Sequence, residues 1–179
     1  MEQREQLSNA LRKIFWGYIF LYFDINLGTI DILPAWIAYI PFKQAIQGSI
    51  EVEEESAKLL KPICLVLIFY RFIDWFGTMF GIEMNILILT EVFAVISLYF
   101  HFQFLTNIAN IADKYSYFGT NALLHLRTIH TVLMTILTFT VHFEEIYWLS
   151  IMIVVVQVIV TIFICSVIGK FRRYIDSIE

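Results

Sequence analysis

Long apolar stretches alternate with short polar segments along the chain. The longest, 146–169, contains no formally charged residue. A helix of this length reaches roughly 36 Å at about 1.5 Å per residue, which is enough to cross a hydrocarbon core of about 30 Å. Three further stretches, 62–82, 84–106 and 121–143, are also long enough, although each carries charged or histidine residues. The pattern therefore predicts four membrane-spanning helices.

The first apolar stretch is interrupted by a polar segment. Residues 14–23 and 35–42 are apolar, and 24–34 between them contains two carboxylates, a glycine and a proline. Two half-length apolar pieces predict a helical hairpin over 14–42, either crossing the bilayer or re-entering from one side. Asp31 is expected to cap the second arm. The residues expected in the turn are Asp24, Asn26, Gly28, Asp31 and Pro34.

The composition supports a membrane protein. Hydrophobic residues make up 59% and charged residues 16% of the chain, and the mean hydropathy is +0.74. These values lie outside the range of soluble domains. The sequence predicts an all-α polytopic membrane protein, with one membrane domain over 1–179 and the lipid bilayer as its partner. The net charge of −4 gives no reason to expect nucleic-acid binding.

Basic residues fall in alternate connections, which sets the expected orientation. Eleven of the twelve Lys and Arg residues lie in segments 1–13, 43–61, 107–127 and 170–179, and the twelfth is Arg71. Loops rich in Lys and Arg stay on the cytoplasmic side. We therefore expect a protein of the cell membrane with both termini in the cytoplasm and a hairpin that enters and leaves on the same side.

The 43–61 segment is predicted to be a cytoplasmic linker helix. A solvated face and a docking surface for a cytoplasmic partner both fit its charge pattern. The tail, 170–179, holds three basic residues, fewer than the clusters that mark specific lipid recognition. The charged residues in the second half of the linker are Glu51, Glu53, Glu54, Glu55, Lys58 and Lys61.

Three charged residues fall at bilayer depth, where each costs about 2.5–3.5 kcal/mol on insertion scales. Arg71 and Asp74 are three apart and share a helix face, so they can pair within their own helix. Glu91 has no partner close in sequence and would pair with Arg71, face water or stay protonated. We call Arg71, Asp74 and Glu91 the charged cluster. Two interpretations of it are possible, a structural ion pair and a proton- or cation-handling site.

A polar stripe follows one face of the 121–143 helix. Its spacings of three and four residues place the whole set on one side. Helix packing and a hydrated substrate path both account for such a stripe. The stripe consists of Asn121, His125, Thr128, Thr131, Thr135, Thr138 and His142. The neighbouring spans offer Thr90, Ala94, Ser97 and His101 before it, and Ser150, Gln157 and Thr161 after it.

Catalytic and metal-binding motifs are not found in the sequence. His125 and His130 are five apart, which does not align two ligands on a helix as a spacing of four does. Cys64 and Cys165 both fall inside spans, where buried thiols are expected. We therefore predict no catalytic residue, cofactor or metal.

The N-terminal stretch FWGYIFLYFDINLGTIDILPAWIAYI, residues 15–40, resembles the opening of small, uncharacterised multi-pass membrane proteins of bacteria. Ala35 and Ala38 depart from that pattern, which has an acid and a glycine there. The resemblance covers about the first quarter of the chain and implies a membrane fold without an activity. The matching residues are Asp24, Ile25, Asn26, Gly28, Ile30, Asp31, Leu33, Pro34, Ile37 and Tyr39.

The function expected from these features is solute or cation transport, or service as an accessory subunit of a transporter. The intramembrane charges, the polar stripe and acidic outer connections without basic residues motivate this expectation. The alternative is a non-transporting structural or regulatory partner of a larger membrane complex, which the small size and thin loops suit. A homo-oligomer is compatible with either role.

Overall fold

The computed structural model describes residues 2–22, 26–27, 30–31, 34–81, 87–140 and 147–178. The predicted all-α class is confirmed, since helices dominate the described residues and a two-residue antiparallel pair is the exception there. The helices are α1 (Glu2–Tyr22), α2 (Ala35–Ala45), α3 (Glu51–Glu53), α4 (Leu60–Met79), α5 (Leu87–Lys114), α6 (Thr120–Thr140) and α7 (Tyr147–Ser177).

The long helices run alternately up and down and pack in a closed cycle. Along this cycle α1 contacts α2, α2 contacts α4, α4 contacts α5, α5 contacts α6, α6 contacts α7, and α7 returns to α1. Short connections between consecutive helices make antiparallel neighbours the natural arrangement. The cycle surrounds a single interior, which each helix faces with part of its surface.

The turn of the N-terminal hairpin differs in detail from expectation. Asn26 pairs with Asp31 and Leu27 with Ile30 in a short antiparallel ladder formed by β1 (Asn26–Leu27) and β2 (Ile30–Asp31). Pro34, rather than Asp31, occupies the N-cap position of α2, with φ −62° and ψ 140°. An extended proline suits this position because its fixed φ admits the helix that follows. Asp24 and Gly28 lie outside the described residues.

Four segments that carry the basic residues meet at one end of the bundle, which we call the linker end. The Gln3 amide lies 3.1 Å from a Glu53 carboxylate oxygen. The Arg4 guanidinium donates to the carbonyl of Ile178 at 2.9 Å, and the Tyr174 hydroxyl donates to the carbonyl of Tyr115 at 3.2 Å. These contacts bring the start of α1, the linker, the end of α5 and the end of α7 together.

The linker is not one continuous helix. A π-helical turn at Ile46–Ile50 and a 3₁₀ turn at Glu55–Leu59 flank α3, and Glu54 between them is extended, with φ −138° and ψ 107°. Extended backbone at this residue ends α3 and redirects the chain across the linker end.

Docking of the linker explains its acidic residues better than solvation does. Glu51 pairs with Lys61, and Glu54 lies 3.2 Å from the Lys114 ammonium, with side chains only 18% and 20% exposed. The Tyr115 hydroxyl donates to Glu53 at 2.9 Å. Burial, together with this hydrogen bond, raises the pKa of Tyr115, so the phenol keeps its proton and remains a donor. Glu53 and Glu54 hold the linker against the end of α5, and Glu51 holds it to the start of α4. Glu55 is 88% exposed, as a solvated face predicts.

An aromatic cluster fills the interior between α1, α2 and α5. The Phe42 ring is fully buried and lies 5.0 Å from Tyr18 and 5.3 Å from Phe104, measured between ring centroids. A Cβ at Gly17 would come within 2.8 Å of this ring. Because glycine has no side chain, α1 approaches α2 closely enough for Phe42 to pack on its backbone.

Two described helical stretches are long and apolar enough to cross a membrane, as judged by length and composition. They are Ile88–Lys114, with a mean hydropathy of 1.6, and Trp148–Ser177, with 3.0. Only 28% and 39% of their most apolar windows are buried inside the protein. The other two expected spans, 62–82 and 121–143, correspond to α4 and α6. Helix α4 carries Arg71 and Asp74, and helix α6 carries Arg127. Two of the four expected spans are therefore supported on these criteria.

We expect Gly17→Ala to destabilise the protein by about 1–3 kcal/mol, because overpacking a filled core forces neighbours out of place. Gly169→Ala is the matched control, since a Cβ there meets nothing within 4 Å and alanine favours a helix interior. Thermal unfolding in detergent, followed by circular dichroism, measures both. Equal midpoints for the two variants would contradict the close packing of α1 on Phe42.

Candidate functional site

Polar side chains gather in the interior of the helix cycle, within a core that is otherwise apolar and aromatic. His101, His130 and Gln157 are each no more than 2% exposed. Polar groups buried at this depth are costly and mark candidate functional sites in membrane proteins. We call this set the polar cluster; its members are Tyr18, Tyr22, Tyr39, Ser97, His101, His130, Gln157 and Thr161.

The cluster is assembled from polar pairs spaced four residues apart. Tyr18 and Tyr22 lie on α1, Ser97 and His101 on α5, and Gln157 and Thr161 on α7. Residues four apart share one helix face, so each pair points to the interior together. Tyr39 of α2 and His130, the central residue of α6, complete the cluster. The rotation of each helix, set by its apolar neighbours, brings these pairs together.

The Tyr22 hydroxyl is the hub of the cluster. The Gln157 amide donates to it at 2.8 Å, and it lies 3.0 Å from His130 Nε2. When the hydroxyl donates to His130, that histidine carries its proton on Nδ1. When His130 donates instead, the hydroxyl can turn to the Met134 sulfur at 3.9 Å. The contact therefore accommodates either tautomer of His130.

The two buried histidines lie side by side. The ring centroids of His101 and His130 are 5.7 Å apart, and the Tyr18 ring centroid lies 5.7 Å from His101. The Tyr39 hydroxyl lies 3.1 Å from the Ser97 hydroxyl, one turn before His101 on α5. The contacts thus lead from Gln157 on α7 through Tyr22 on α1 and His130 on α6 to His101 on α5, and Tyr18 returns to α1.

Several buried polar atoms of the cluster have no hydrogen-bond partner within the described part of the chain. They are Tyr18 Oη, His101 Nδ1, His130 Nδ1 and Gln157 Oε1. Leaving a buried donor or acceptor unpaired costs about 1–3 kcal/mol. Native proteins accept such a cost mainly at functional sites or where a bound group completes the pairing. The cluster therefore has spare donors and acceptors for a proton or a small polar ligand.

The three residues of the predicted charged cluster lie on neighbouring helices, Arg71 and Asp74 on α4 and Glu91 on α5. Each of them is half-buried. Arg71 lies 5.8 Å from the ring centroid of Tyr70, a distance at which a guanidinium and an aromatic ring attract each other. The charged cluster stays a prediction.

The predicted polar stripe runs along α6, and its exposure changes along the helix. Asn121, His125 and Thr128 are exposed. The stripe's other described members, Thr131, Thr135 and Thr138, are half-buried. Each of these three, like Thr128, donates its hydroxyl to the carbonyl four residues earlier, at 2.8–3.0 Å. These threonines are satisfied within their own helix, as hydroxyls in apolar surroundings commonly are. His142 lies outside the described residues.

A second polar contact joins α5 to α6 nearer the linker end. The Arg127 guanidinium lies 4.4 Å from the ring centroid of Phe102 and donates to the Thr106 hydroxyl at 2.9 Å. Thr106 in turn donates to the Phe102 carbonyl at 2.7 Å. This arrangement anchors a charged residue of α6 on the face of α5.

The sequence indicates part of the polar cluster but not its centre. Its pattern marks Ser97, His101, Gln157 and Thr161 as polar positions on the neighbouring spans. The tyrosines lie within apolar stretches, and the spacing of His130 from His125 does not suit a metal pair. The four-residue spacing of Tyr18 and Tyr22 matches that of the pairs on α5 and α7, and it is the pattern that could have revealed them.

Comparison with known proteins brings no assignment. No protein family, curated protein or solved structure matches the chain. Within the described ranges, no three His, Cys, Asp or Glu side chains come together as metal ligands. Cys64 and Cys165 are buried free thiols, as expected. The polar cluster is therefore the feature of the molecule that bears on function.

We expect Tyr22→Phe to destabilise the protein by about 1–3 kcal/mol, because it leaves both the Gln157 amide and His130 without their shared partner. Tyr99→Phe is the control, since Tyr99 is 47% exposed on α5. Thermal unfolding in detergent compares the two variants. A Tyr22→Phe protein as stable as the Tyr99→Phe protein would show that the Tyr22 hydroxyl is not a hub.

Proposed function

We propose that the protein is a multi-pass protein of the cell membrane. In this proposal the α1–α2 hairpin and helices α4, α5, α6 and α7 enter the bilayer, and both termini are cytoplasmic. The gathering of the basic segments at the linker end supports this orientation, because positive charge is retained on the cytoplasmic side. The alternating direction of consecutive helices brings every second connection to that end.

A belt of exposed apolar side chains supports the membrane placement. Phe69 is 63% exposed on α4, Val95 is 61% exposed on α5 and Phe163 is 57% exposed on α7. Soluble monomers rarely expose contiguous apolar surface on this scale. Lipid chains cover such a surface without cost. Outward-facing apolar residues on these helices include Val66, Phe69, Phe72, Ile73, Phe76, Val92, Val95, Met152, Val155, Ile159, Ile162 and Phe163.

Within that placement, we assign the protein to transport, with a cation as the transported species and the proton as the simplest case. The polar cluster carries this proposal. It joins α7, α1, α6 and α5 in the interior, includes the central residue of α6 and contains groups that both donate and accept protons. Chains of ionisable side chains, histidine among them, form proton relays in membrane pumps and transporters.

The geometry of the two histidines suits a relay. Imidazole binds a proton on one nitrogen and releases one from the other, so a ring between two partners passes protons without moving. His130 Nε2 faces the Tyr22 hydroxyl at 3.0 Å, and the ring centroids of His130 and His101 are 5.7 Å apart. Two adjacent positive charges repel each other, so the pair takes up no more than one extra proton at a time.

The second candidate function is that of a non-transporting partner or accessory subunit in a larger membrane complex. A purely apolar groove between α4 and α5 favours it, because a helix of another protein could lie there. The groove has a volume of about 450 Å³. Its lining residues are Pro62, Ile63, Val66, Val95, Ile96 and Tyr99.

The proposed topology predicts the labelling of engineered cysteines in intact cells. Lys58→Cys and Phe118→Cys should react with a membrane-impermeant thiol reagent only after the cytoplasmic face is opened, and Phe80→Cys should react from outside. The three side chains are 59%, 83% and 65% exposed. The unsubstituted protein is the control, because Cys64 and Cys165 are buried. Labelling of all three positions from the same face would contradict the topology.

The transport proposal predicts proton flux into liposomes that contain the purified protein. We expect a pH-sensitive dye inside the liposomes to respond to an imposed potential, and His101→Gln or His130→Gln to reduce the response to that of empty liposomes. His125→Gln is the matched control, since His125 is exposed on the same helix as His130. Unfolding midpoints measured in parallel separate loss of flux from loss of fold.

Two outcomes would contradict transport by this cluster. Flux that survives both histidine substitutions would mean that protons take another route. If wild-type liposomes show no flux and a larger membrane protein co-purifies in stoichiometric amount, the accessory role is favoured instead.

A further inference from the structure

A groove between α1 and α7 near the linker end collects arginines from distant parts of the sequence. It has a volume of about 380 Å³. Arg12 contributes from α1, and Arg172 and Arg173 contribute from α7. No acidic residue is among the described residues that line it. The remaining lining residues are Leu11, Phe15, Trp16 and Gly169.

The groove has a charged end and an apolar end. Because α1 and α7 are antiparallel, rising numbers on α1 and falling numbers on α7 both lead away from the linker end. Arg12 and Arg173 therefore lie at the linker end, and Trp16 and Gly169 lie toward the apolar belt. This order matches an amphipathic ligand with an anionic head and an apolar tail. An anion without a tail would occupy only the charged end of the groove.

The guanidinium groups at the charged end retain free donors. The Arg12 guanidinium makes one hydrogen bond, to the Asn9 side chain at 3.1 Å. Arg172 Nε forms an ion pair with an Asp176 oxygen at 3.6 Å. The distance exceeds hydrogen-bond length, and this buried nitrogen has no hydrogen-bond partner among the described residues. Each guanidinium has five N–H groups arranged to bind phosphate oxygens in pairs.

The apolar end is open and bordered by an aromatic. A Cβ at Gly169 would meet nothing within 4 Å, so the glycine leaves free space on α7. Trp16 is 48% exposed and stacks on Phe20 at 5.7 Å between ring centroids. A second groove on the other side of Trp16 also includes Arg12 and continues to Pro41 of α2. Tryptophan in such a position is typical of the boundary between headgroups and acyl chains.

We propose that this groove binds an anionic phospholipid, with its phosphate on Arg12, Arg172 and Arg173 and an acyl chain along Trp16 and Gly169. The site rests on the membrane placement proposed above, but it is independent of transport. The lipid comes from the cytoplasmic leaflet, which the linker end faces in that placement and where anionic headgroups meet basic residues. Bound lipid would add a further link between α1 and α7, which already contact each other.

The binding test uses the delipidated full-length protein in detergent, with native mass spectrometry to count bound lipid. The probes are dioleoyl-phosphatidylglycerol, dioleoyl-phosphatidylcholine and inorganic phosphate. We expect the double variant Arg12→Gln/Arg173→Gln to bind phosphatidylglycerol about 30-fold more weakly, on the basis of the usual contribution of a basic residue near anionic lipid. Lys58→Gln/Lys170→Gln, which removes the same charge from exposed positions outside the groove, should bind it like the wild type.

A third variant tests the apolar end. Gly169→Leu fills the open space with a side chain that a helix accepts, so it should fold normally and lose phosphatidylglycerol. Retained lipid binding in this variant, together with displacement of lipid by inorganic phosphate, would identify a free-phosphate site and overturn the proposal. Equal binding of both lipids by the wild type would also overturn it. Failure of the membrane placement would appear separately, as protein that stays soluble without detergent.

Discussion

The packing of the Phe42 ring on the backbone of α1 at Gly17 is the contact on which the rest of the interior depends. It closes the α1–α2 hairpin, and the ring then supports Tyr18, His101 and Phe104 around it. With α1 held this closely, its next turn brings the Tyr22 hydroxyl to His130 and Gln157. A larger residue at position 17 would move α1 outward and separate the three groups. An apolar contact thus sets the geometry of a polar site.

Buried polar groups occur both in the polar cluster and at the linker end, but their pairing differs between the two places. At the linker end, the carboxylates of Glu51, Glu53 and Glu54 meet an ammonium or a phenol. The polar cluster contains no Asp, Glu, Lys or Arg. Polar atoms on four of its side chains have no hydrogen bond in the described part of the chain. A network that is only partly satisfied costs stability. Such a cost is reasonable where a proton or ligand completes the network during function.

Most of the architecture could be predicted from the sequence because helix formation and membrane preference depend on residues close together in the chain. Apolar runs located α5 and α7, and charge alternation anticipated that the basic segments would share one end. The linker was harder to predict. Its acids resemble a solvated helix, but Lys114 and Tyr115, more than fifty residues away, bind them and make the segment fold back on the bundle.

The sequence by itself determined the helical class, the order of the elements and the polar positions on α5 and α7, because each follows from local spacing and hydropathy. Only the tertiary structure decided which polar residues meet. Successive residues of a helix are rotated by about 100°, so the polar stripe of α6 and the buried His130 lie on different faces. The apolar packing of the neighbouring helices determines which of these faces points to the interior. The same packing brought Arg12 beside Arg172 and Arg173. Neither the Tyr22–His130 contact nor the arginine groove can be recognised from local sequence, since each joins side chains more than a hundred residues apart.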